Sequence, residues 1–361
     1  MKRYITLILL AFILTSAISG GVSYGQVNPG SNWEMNPAPE KSGWNLSKLN
    51  KMKEFIVDST FVTGMMIVQD GKIVFQYGDI KENSYIASCR KSVLAMLYGK
   101  HIKNGEIDPN KTLDDLKIDD IGGLLPIEKQ ATIRDILAAR SGVFHQASYP
   151  GDYLAYAPKR GTVNPGDYWL YSNWDFNVAG YIFEKATQTN IYDALERELV
   201  KPLQMQDWDR SLQIKEGDST KSKYLAYPMW FSTRDMARIG WLMYNKGLWN
   251  SNQVIEKDWV AEMVKPRTDY IEVNKNIPSF RGAPVAFGYG YYWWLWQNNP
   301  DKRFDGGYSA LGAVGQAISV FPAINAVVVF KTKEDYERDT PYPARFRLQT
   351  LAVESFDGKT K

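Results

Sequence analysis

Residues 85–99 read YIASCRKSVLAMLYG, a Ser-x-x-Lys quartet from Ser88 to Lys91 at the head of an apolar run. Residues three apart on a helix share a face, with Cβ atoms about 5–6 Å apart. If the run is helical, Ser88 and Lys91 are close enough to exchange a proton. Ser88 then falls at the helix start, where free N–H groups and the positive end of the dipole favour a developing oxyanion. For Lys91 to act as a base near neutrality its pKa must fall from about 10.4 by about three units, or about 4 kcal/mol. Full burial can supply that, and a solvated lysine cannot achieve it. Arg90 points about a third of a turn away, so it is not expected to be the main perturbing charge. The bland alternative is an ordinary pair on a solvated turn, since a chain of this length produces about one such match by chance. Ser88 is the one Ser here with Lys at the third following position.

Upstream, residues 1–25 (MKRYITLILLAFILTSAISGGVSYG) combine a basic start, an apolar run and a small-residue exit. That is the layout of a secretory signal peptide. The run is short for a membrane span, and no second long apolar run follows. The expectation is an exported soluble chain, periplasmic or secreted, beginning near Gln26; a retained N-terminal anchor is the alternative. No Cys lies near the exit to carry a lipid. The chain has 43 Lys and Arg against 40 Asp and Glu, and loss of Lys2 and Arg3 leaves it at +1. Near-neutral charge without basic blocks gives no footprint for nucleic acid. One cysteine, Cys89, excludes an internal disulfide even in an oxidising compartment. Stability must come from a core, which a chain of this size can build. The 14% aromatic content, with 12 Trp, fits a packed globule.

Pro, Gly and Asn in QVNPGSNWEMNPAPEKSGW (26–44) mark an extended leader, taken to residue 47. Helical spacing follows at Leu49, Met52, Phe55 and Ile56. TGMMIVQDGKIVFQYG (63–78) reads as two strands around Asp70-Gly71, a strong hairpin signal. The texture then turns helical. TIRDILAARSGV (132–143) begins with Thr132 as N-cap and Asp135 at the capping-box position. NWDFNVAGYIFEKAT (173–187) and STRDMARIGWLMYNKG (232–247) repeat apolar residues at helical spacing, the second stopping at Gly247. Strands return late: FGYGYYWWLW (287–296) is apolar on both faces, as a buried strand would be. AVGQAISVFPAINAVVVFKT (313–332) reads as a hairpin bent at Pro322, and a helix follows in PARFRLQTLAVESF (343–356). The expected fold is α/β of the α+β type. An antiparallel sheet built from both chain ends (about 60–92 and 285–361) is flanked by helices, with a helical lobe (about 93–275) inserted in a domain spanning 48–361. A site is expected in the cleft between lobe and sheet.

Two further segments bear on the quartet. Tyr171-Ser172-Asn173 stands directly before a helix, and YSALGAVGQAISVFP (308–322) opens a strand with a glycine-rich turn whose N–H could face an oxyanion. The order Ser-x-x-Lys, Tyr-x-Asn, glycine-marked strand parallels the set known in β-lactamases and penicillin-binding proteins. From about Lys48 to the C-terminus the chain resembles the β-lactamase-related serine hydrolases: class C β-lactamases, D-alanyl-D-alanine carboxypeptidases, family esterases and, nearest in texture, 6-aminohexanoate-dimer hydrolases. KPLQMQDW (201–208) and STRDMARIG (232–240) add to the likeness.

The resemblance implies a β-lactamase/transpeptidase-like fold with Ser88 as acylated nucleophile and Lys91 as its base. Tyr171 then relays the proton to the leaving group, and Asn173 orients substrate or Lys91. The backbone N–H groups of Ser88 and Ala313, beside Gly312, form the oxyanion pair. Gly312-Ala313-Val314 stands where β-lactamases and peptidases place Lys-Thr-Gly, which argues for a linear amide or ester as the small-molecule substrate. A penicillin-recognising β-lactamase or D-Ala peptidase is the alternative within the enzyme class, and a non-catalytic envelope binding protein is the alternative outside it. Lys331-Thr332 lies after the strand pair and lacks the Gly.

Other chemistries fit less well. His101 is expected on the solvated surface and His145 in a loop-placing role, so no Ser-His-Asp triad forms. GYSAL (307–311) fails the G-x-S-x-G pattern at its last position. No histidine pair has metal-ligand spacing, and neither a dinucleotide fingerprint nor a P-loop is present, so no metal or cofactor is expected. Cys89 points off the Ser88–Lys91 face and is expected to be a buried structural thiol. The Trp-rich run 293–296 is expected in the core, with a ring or two available to line an acyl pocket.

Overall fold

Asp70 and Gly71 both adopt positive φ, 49° and 73°, the geometry that lets a two-residue turn match the twist of its strands. The computed structural model describes residues 28–277, 280, 285–333 and 338–360. The signal-peptide reading of residues 1–25 lies outside the described residues.

After α1 (Leu46–Ser59), strands β1 (Gly64–Gln69) and β2 (Lys72–Gly78) form that hairpin. A two-residue strand β3 (Ser84–Tyr85) leads into α2 (Cys89–Lys103), and α3 (Ile133–Leu137) follows with the Thr132/Asp135 capping box in place. α4 (Asn173–Thr187) is followed by α5 (Ile191–Leu195), which continues through a π-turn into α6 (Lys201–Leu203). β4 (Trp230–Phe231) pairs with β3. Next come α7 (Thr233–Tyr244), the small hairpin β5 (Leu248–Trp249) and β6 (Asn252–Gln253), α8 (Lys257–Met263) and α9 (Tyr270–Asn276). The chain then returns to the large sheet with β7 (Ala286–Tyr289), β8 (Trp294–Gln297), β9 (Tyr308–Gly312), β10 (Gln316–Phe321) and β11 (Ala326–Lys331), and closes with α10 (Tyr342–Glu354).

The seven-stranded sheet runs β2-β1-β11-β10-β9-β8-β7, antiparallel throughout. The first hairpin therefore pairs with the last strand, and both ends of the chain build one sheet. Strand side chains alternate faces, and two bonds show what covers each. Tyr308, opposite Val320, donates its hydroxyl to Met243 O on α7 at 3.0 Å. Gln349 on α10 donates to Ser319 Oγ at 2.8 Å. Residues 319 and 320 point oppositely, so α7 and α10 lie on opposite faces, and α1 packs on α10. Covered on both sides, β1, β10 and β11 are buried along their whole length.

The sequence 287–296 departs from its single-strand reading. It is a hairpin, β7 and β8, joined by a bend in which Tyr292 takes φ 60° and Gly290 N–H donates to Trp293 O at 2.9 Å. Residues 28–45 run over the body of the protein. Trp241 donates to Asn28 Oδ1 at 3.1 Å, Arg238 donates to Gly30 O at 2.8 Å and Ser31 O at 3.2 Å, and Trp33 donates to Arg234 O at 3.1 Å. Among the described residues no helix is long and apolar enough to cross a membrane.

Candidate active site

α2 is the central helix, buried along almost its whole length, and this is what desolvates Lys91. Its start is fixed by a tight turn. Ile86 N–H donates to Met229 O at 2.9 Å and Cys89 N–H to Ile86 O at 3.2 Å. Ala87 between them takes φ 48°, an uncommon conformation for a residue with a side chain. Ser88 caps the helix with φ −72° and its hydroxyl is left free of any capping bond.

Lys91 is 2% exposed. Its Nζ lies 3.0 Å from Ser88 Oγ, 2.7 Å from the Tyr171 hydroxyl and 2.8 Å from Asn173 Oδ1. The amine also sits over the rings of Tyr171 and Phe176, at 4.2 and 4.1 Å from their centroids. Burial, and then the charge of Arg90, hold its pKa well below the ordinary lysine value, opposed by the negative charge of Asp152. Arg90 is thus the leading charge on Lys91, contrary to the expectation from its position on the helix wheel. It too is buried, against the Tyr227 ring at 4.9 Å, so little water screens it.

Tyr171 stands in the extended segment before α4, and Asn173 is the first residue of that helix. Asn173 Nδ2 donates to Pro150 O at 2.6 Å and Tyr149 O at 3.3 Å, which aims Oδ1 at Lys91. Trp294 stacks on Tyr171, with centroids 5.5 Å apart and planes at 28°. Burial raises the Tyr171 pKa, partly offset by a hydrogen bond with Ser88, so the phenol keeps its proton.

Ser88 and Tyr171 open into a cavity of about 290 Å³ whose walls include Asp152, Tyr153, Trp294, Gly312, Ala313 and Arg345. The end of β9 is pressed against the nucleophile turn. A side chain on Gly312 would place its Cβ 2.8 Å from Ile86 O and 3.1 Å from Ala87 Cβ. The structure therefore brings all six sequence-expected site residues to one cleft: Ser88, Lys91, Tyr171, Asn173, Gly312 and Ala313.

Lys331, by contrast, is fully buried at the end of β11, donating to Glu82 O, to Ser84 Oγ at 2.8 Å and to Phe231 O at 2.9 Å. Burial lowers its pKa to about 8, against the opposing charges of Glu82 and Asp79. It does not line the cleft. His101 is not on the solvated surface. It is 4% exposed between Glu106, at 2.8 Å, and Glu198, at 3.2 Å, and bonding to Glu198 and then Glu106 raises its pKa despite burial. Glu198, 97 residues away, covers a position that is solvated in the sequence pattern. His145 bonds the carbonyls of Gln146 and Ile121, both at 2.8 Å, in a loop-placing role. Cys89 is buried, its thiol pKa pushed up by desolvation. Asp152, in the loop 148–161 expected to shape the pockets, and Arg345 are cleft residues that the sequence does not single out. Each lies in a segment whose local pattern is that of an ordinary loop or helix.

A Ser-x-x-Lys helix buried beneath an antiparallel sheet, with a Tyr-x-Asn segment across the cleft, defines the β-lactamase/transpeptidase-like class. The chain belongs to the Beta-lactamase family, whose profile matches residues 59–352. Solved structures agree on the fold. A Bacillus anthracis protein provisionally named as a 6-aminohexanoate-dimer hydrolase superposes with TM-score 0.62 at 18% identity, over 84% of this chain and 80% of that one. The octameric penicillin-binding protein homologue of Pyrococcus abyssi gives 0.61 at 16%, over 84% and 77%. The hydrolase EstCE1, which has promiscuous acyltransferase activity, gives 0.61 at 12%, over 90% and 100%.

Proposed function

We propose that the protein is an exported serine hydrolase that cleaves a linear amide or ester through an acyl-enzyme on Ser88. The observation that carries this reading is the Lys91 amine, 2% exposed and 3.0 Å from Ser88 Oγ. A neutral amine in that position has two N–H groups and one lone pair. Asn173 Oδ1 can only accept, so it takes one N–H. The Tyr171 oxygen takes the other, and the lone pair receives the Ser88 proton.

Ser88 Oγ then bonds to the substrate carbonyl carbon as its proton passes to Lys91. The carbonyl oxygen becomes an oxyanion facing the Ser88 and Ala313 N–H groups, which are fixed before it forms. As the intermediate collapses, the C–N or C–O bond breaks. Tyr171 gives its proton to the departing amine or alcohol and recovers one from the Lys91 ammonium. A water, deprotonated by Lys91, repeats the sequence on the acyl-enzyme, releases the acid and restores Ser88.

The composition of the cleft walls supports this choice of substrate class. Among the described residues lining the cavity the one cation is Arg345, whose N–H groups are bonded to Thr340 O, Gly312 O and Asp339. Among the described lining residues there is no free ammonium to take a penicillin or peptide carboxylate. This supports linear amides and esters whose binding does not depend on a carboxylate contact; the Bacillus anthracis relative is likewise named for cleavage of a linear amide.

The test is a panel of short amides, oligomeric amides and p-nitrophenyl esters, with Ser88→Ala as control and a fluorophosphonate probe as label. We expect labelling of the wild type alone and a loss of turnover of at least about 10³-fold in Ser88→Ala. Full turnover in Ser88→Ala would end the proposal. A wild type that takes no probe at any pH would point to a binding protein on this fold, and turnover of a labelled penicillin would point to a β-lactamase.

A further inference from the structure

Arg345 on α10 forms part of the cleft wall, 5% exposed, with its guanidinium 4.4 Å from the Tyr342 ring centroid. Its fork is divided among three acceptors: Nε donates to Thr340 O, Nη2 to the Asp339 carboxylate, and Nη1 to Gly312 O at 3.1 Å. The last contact has a particular geometry. Gly312 C=O and Ala313 N–H belong to one peptide unit, and in a planar trans peptide the two bonds point in opposite directions. A donor that fixes the Gly312 oxygen therefore fixes the heading of the Ala313 N–H on the other side. A cation on that oxygen also draws electron density from the peptide and strengthens the N–H as a donor.

The turn needs holding. Val314, the next residue, takes φ 67° and ψ −16°. A β-branched side chain in that region stores strain of about 1–3 kcal/mol and persists only where the surroundings over-determine it. The surroundings come from the same segment as Arg345, because Thr340 N–H donates to Val314 O at 3.1 Å. The carbonyls of residues 312 and 314 are thus gripped from behind, one on each side of Ala313. On the cleft side, the close approach of Gly312 to Ile86 and Ala87 couples the same turn to the position of Ser88.

We infer that Arg345 is a positioning residue for acyl transfer, holding the Gly312–Ala313 peptide so that the Ala313 N–H faces the substrate oxyanion. This rests on the acyl-enzyme reading given above. Lysine would not replace it, because a single ammonium cannot serve three acceptors in a planar fork.

The test compares wild type, Arg345→Lys and Asp339→Asn by the rate of fluorophosphonate labelling, by kcat and KM on a neutral p-nitrophenyl ester, and by hydrogen exchange across residues 311–316. Arg345→Lys is expected to slow labelling and kcat by about 10- to 100-fold, with KM within about threefold, the signature of a misplaced transition-state donor. Exchange at 311–316 should speed up while that of α2 stays unchanged. Asp339, mostly exposed, can be changed at little risk to the fold, and Asp339→Asn should slow labelling by about two- to fivefold. Equal labelling of wild type and both variants would overturn the inference while leaving the acyl-enzyme reading intact. So would a loss confined to KM and seen only with esters that carry a carboxylate, since Arg345 would then be a substrate contact. A wild type that takes no probe removes the reading and this inference together.

Discussion

Lys91, on α2 beneath the cleft, and Lys331, at the end of β11, are both withdrawn from water, at 2% and 0% exposure. Their neighbours differ in kind. Lys331 faces two backbone carbonyls and one hydroxyl, with Glu82 and Asp79 as the largest opposing charges. The two carbonyls only accept, so they demand N–H donors and favour an ammonium that stays charged at neutrality. Lys91 faces two hydroxyls that can give a proton as well as take one and a single pure acceptor, Asn173 Oδ1, and the largest charge acting on it is another cation, Arg90. Desolvation is the first cause in both cases. What separates a structural lysine from a candidate base is the protonic character of its partners and the sign of the largest charge acting on it.

The contrast can be broken most severely at Lys91. Lys91→Arg keeps a cation that cannot be deprotonated in the working pH range. We expect kcat/KM for the best ester to fall by about 10²–10⁴-fold, with unfolding in urea little changed; a fall of less than tenfold would remove Lys91 from the base role. The mirror experiment is Lys331→Met. It strands Glu82 O, Ser84 Oγ and Phe231 O without their donor and should cost about 1–3 kcal/mol in urea unfolding while leaving kcat at 25 °C unchanged.

The same variant tests the sign of the titration. The folded Lys331 loses its proton near pH 8, below the unfolded value. Between about pH 8 and 10.5 the unfolded chain therefore binds more protons, and this group makes stability rise with pH across that window and leaves it flat below. The rise should be absent in Lys331→Met. The smallest effect is expected from Arg90→Met, which removes the cation beside Lys91. The Lys91 pKa should move up, and the acidic limb of the kcat/KM profile should shift to higher pH. An unmoved limb would assign the Lys91 shift to burial alone.

The sequence made much of this legible where the signal is local. Asp70-Gly71, the Thr132/Asp135 box and the Ser88–Lys91 spacing each lie within a few residues and read correctly without any tertiary knowledge. The order of the three segments around the cleft was readable through its resemblance to a family. What escaped reading depends on distant partners. In 287–296 every residue is Gly or apolar, so a turn buried among aromatics carries no polar punctuation, and Tyr292 holds its positive φ because the surrounding core fixes it. His101 lies on a helix whose cover, Glu198, comes from another element. Arg345 reads as one of two arginines on a C-terminal helix, and its bond to Gly312 O spans 33 residues.

The stretch 28–45 that crosses α7 has a mechanical consequence. Arg238 is buried with its guanidinium donating to Leu203 O at 2.7 Å and to the carbonyls of Gly30 and Ser31. Burial lowers its pKa to about 10, with Asp235 the main opposing charge. The proline- and glycine-rich texture of this stretch looks dispensable, yet it plugs a cation into the interior like a rivet. A protease that clipped it would leave bare N–H donors facing a wall, and the damage would spread along α7 into the sheet it covers.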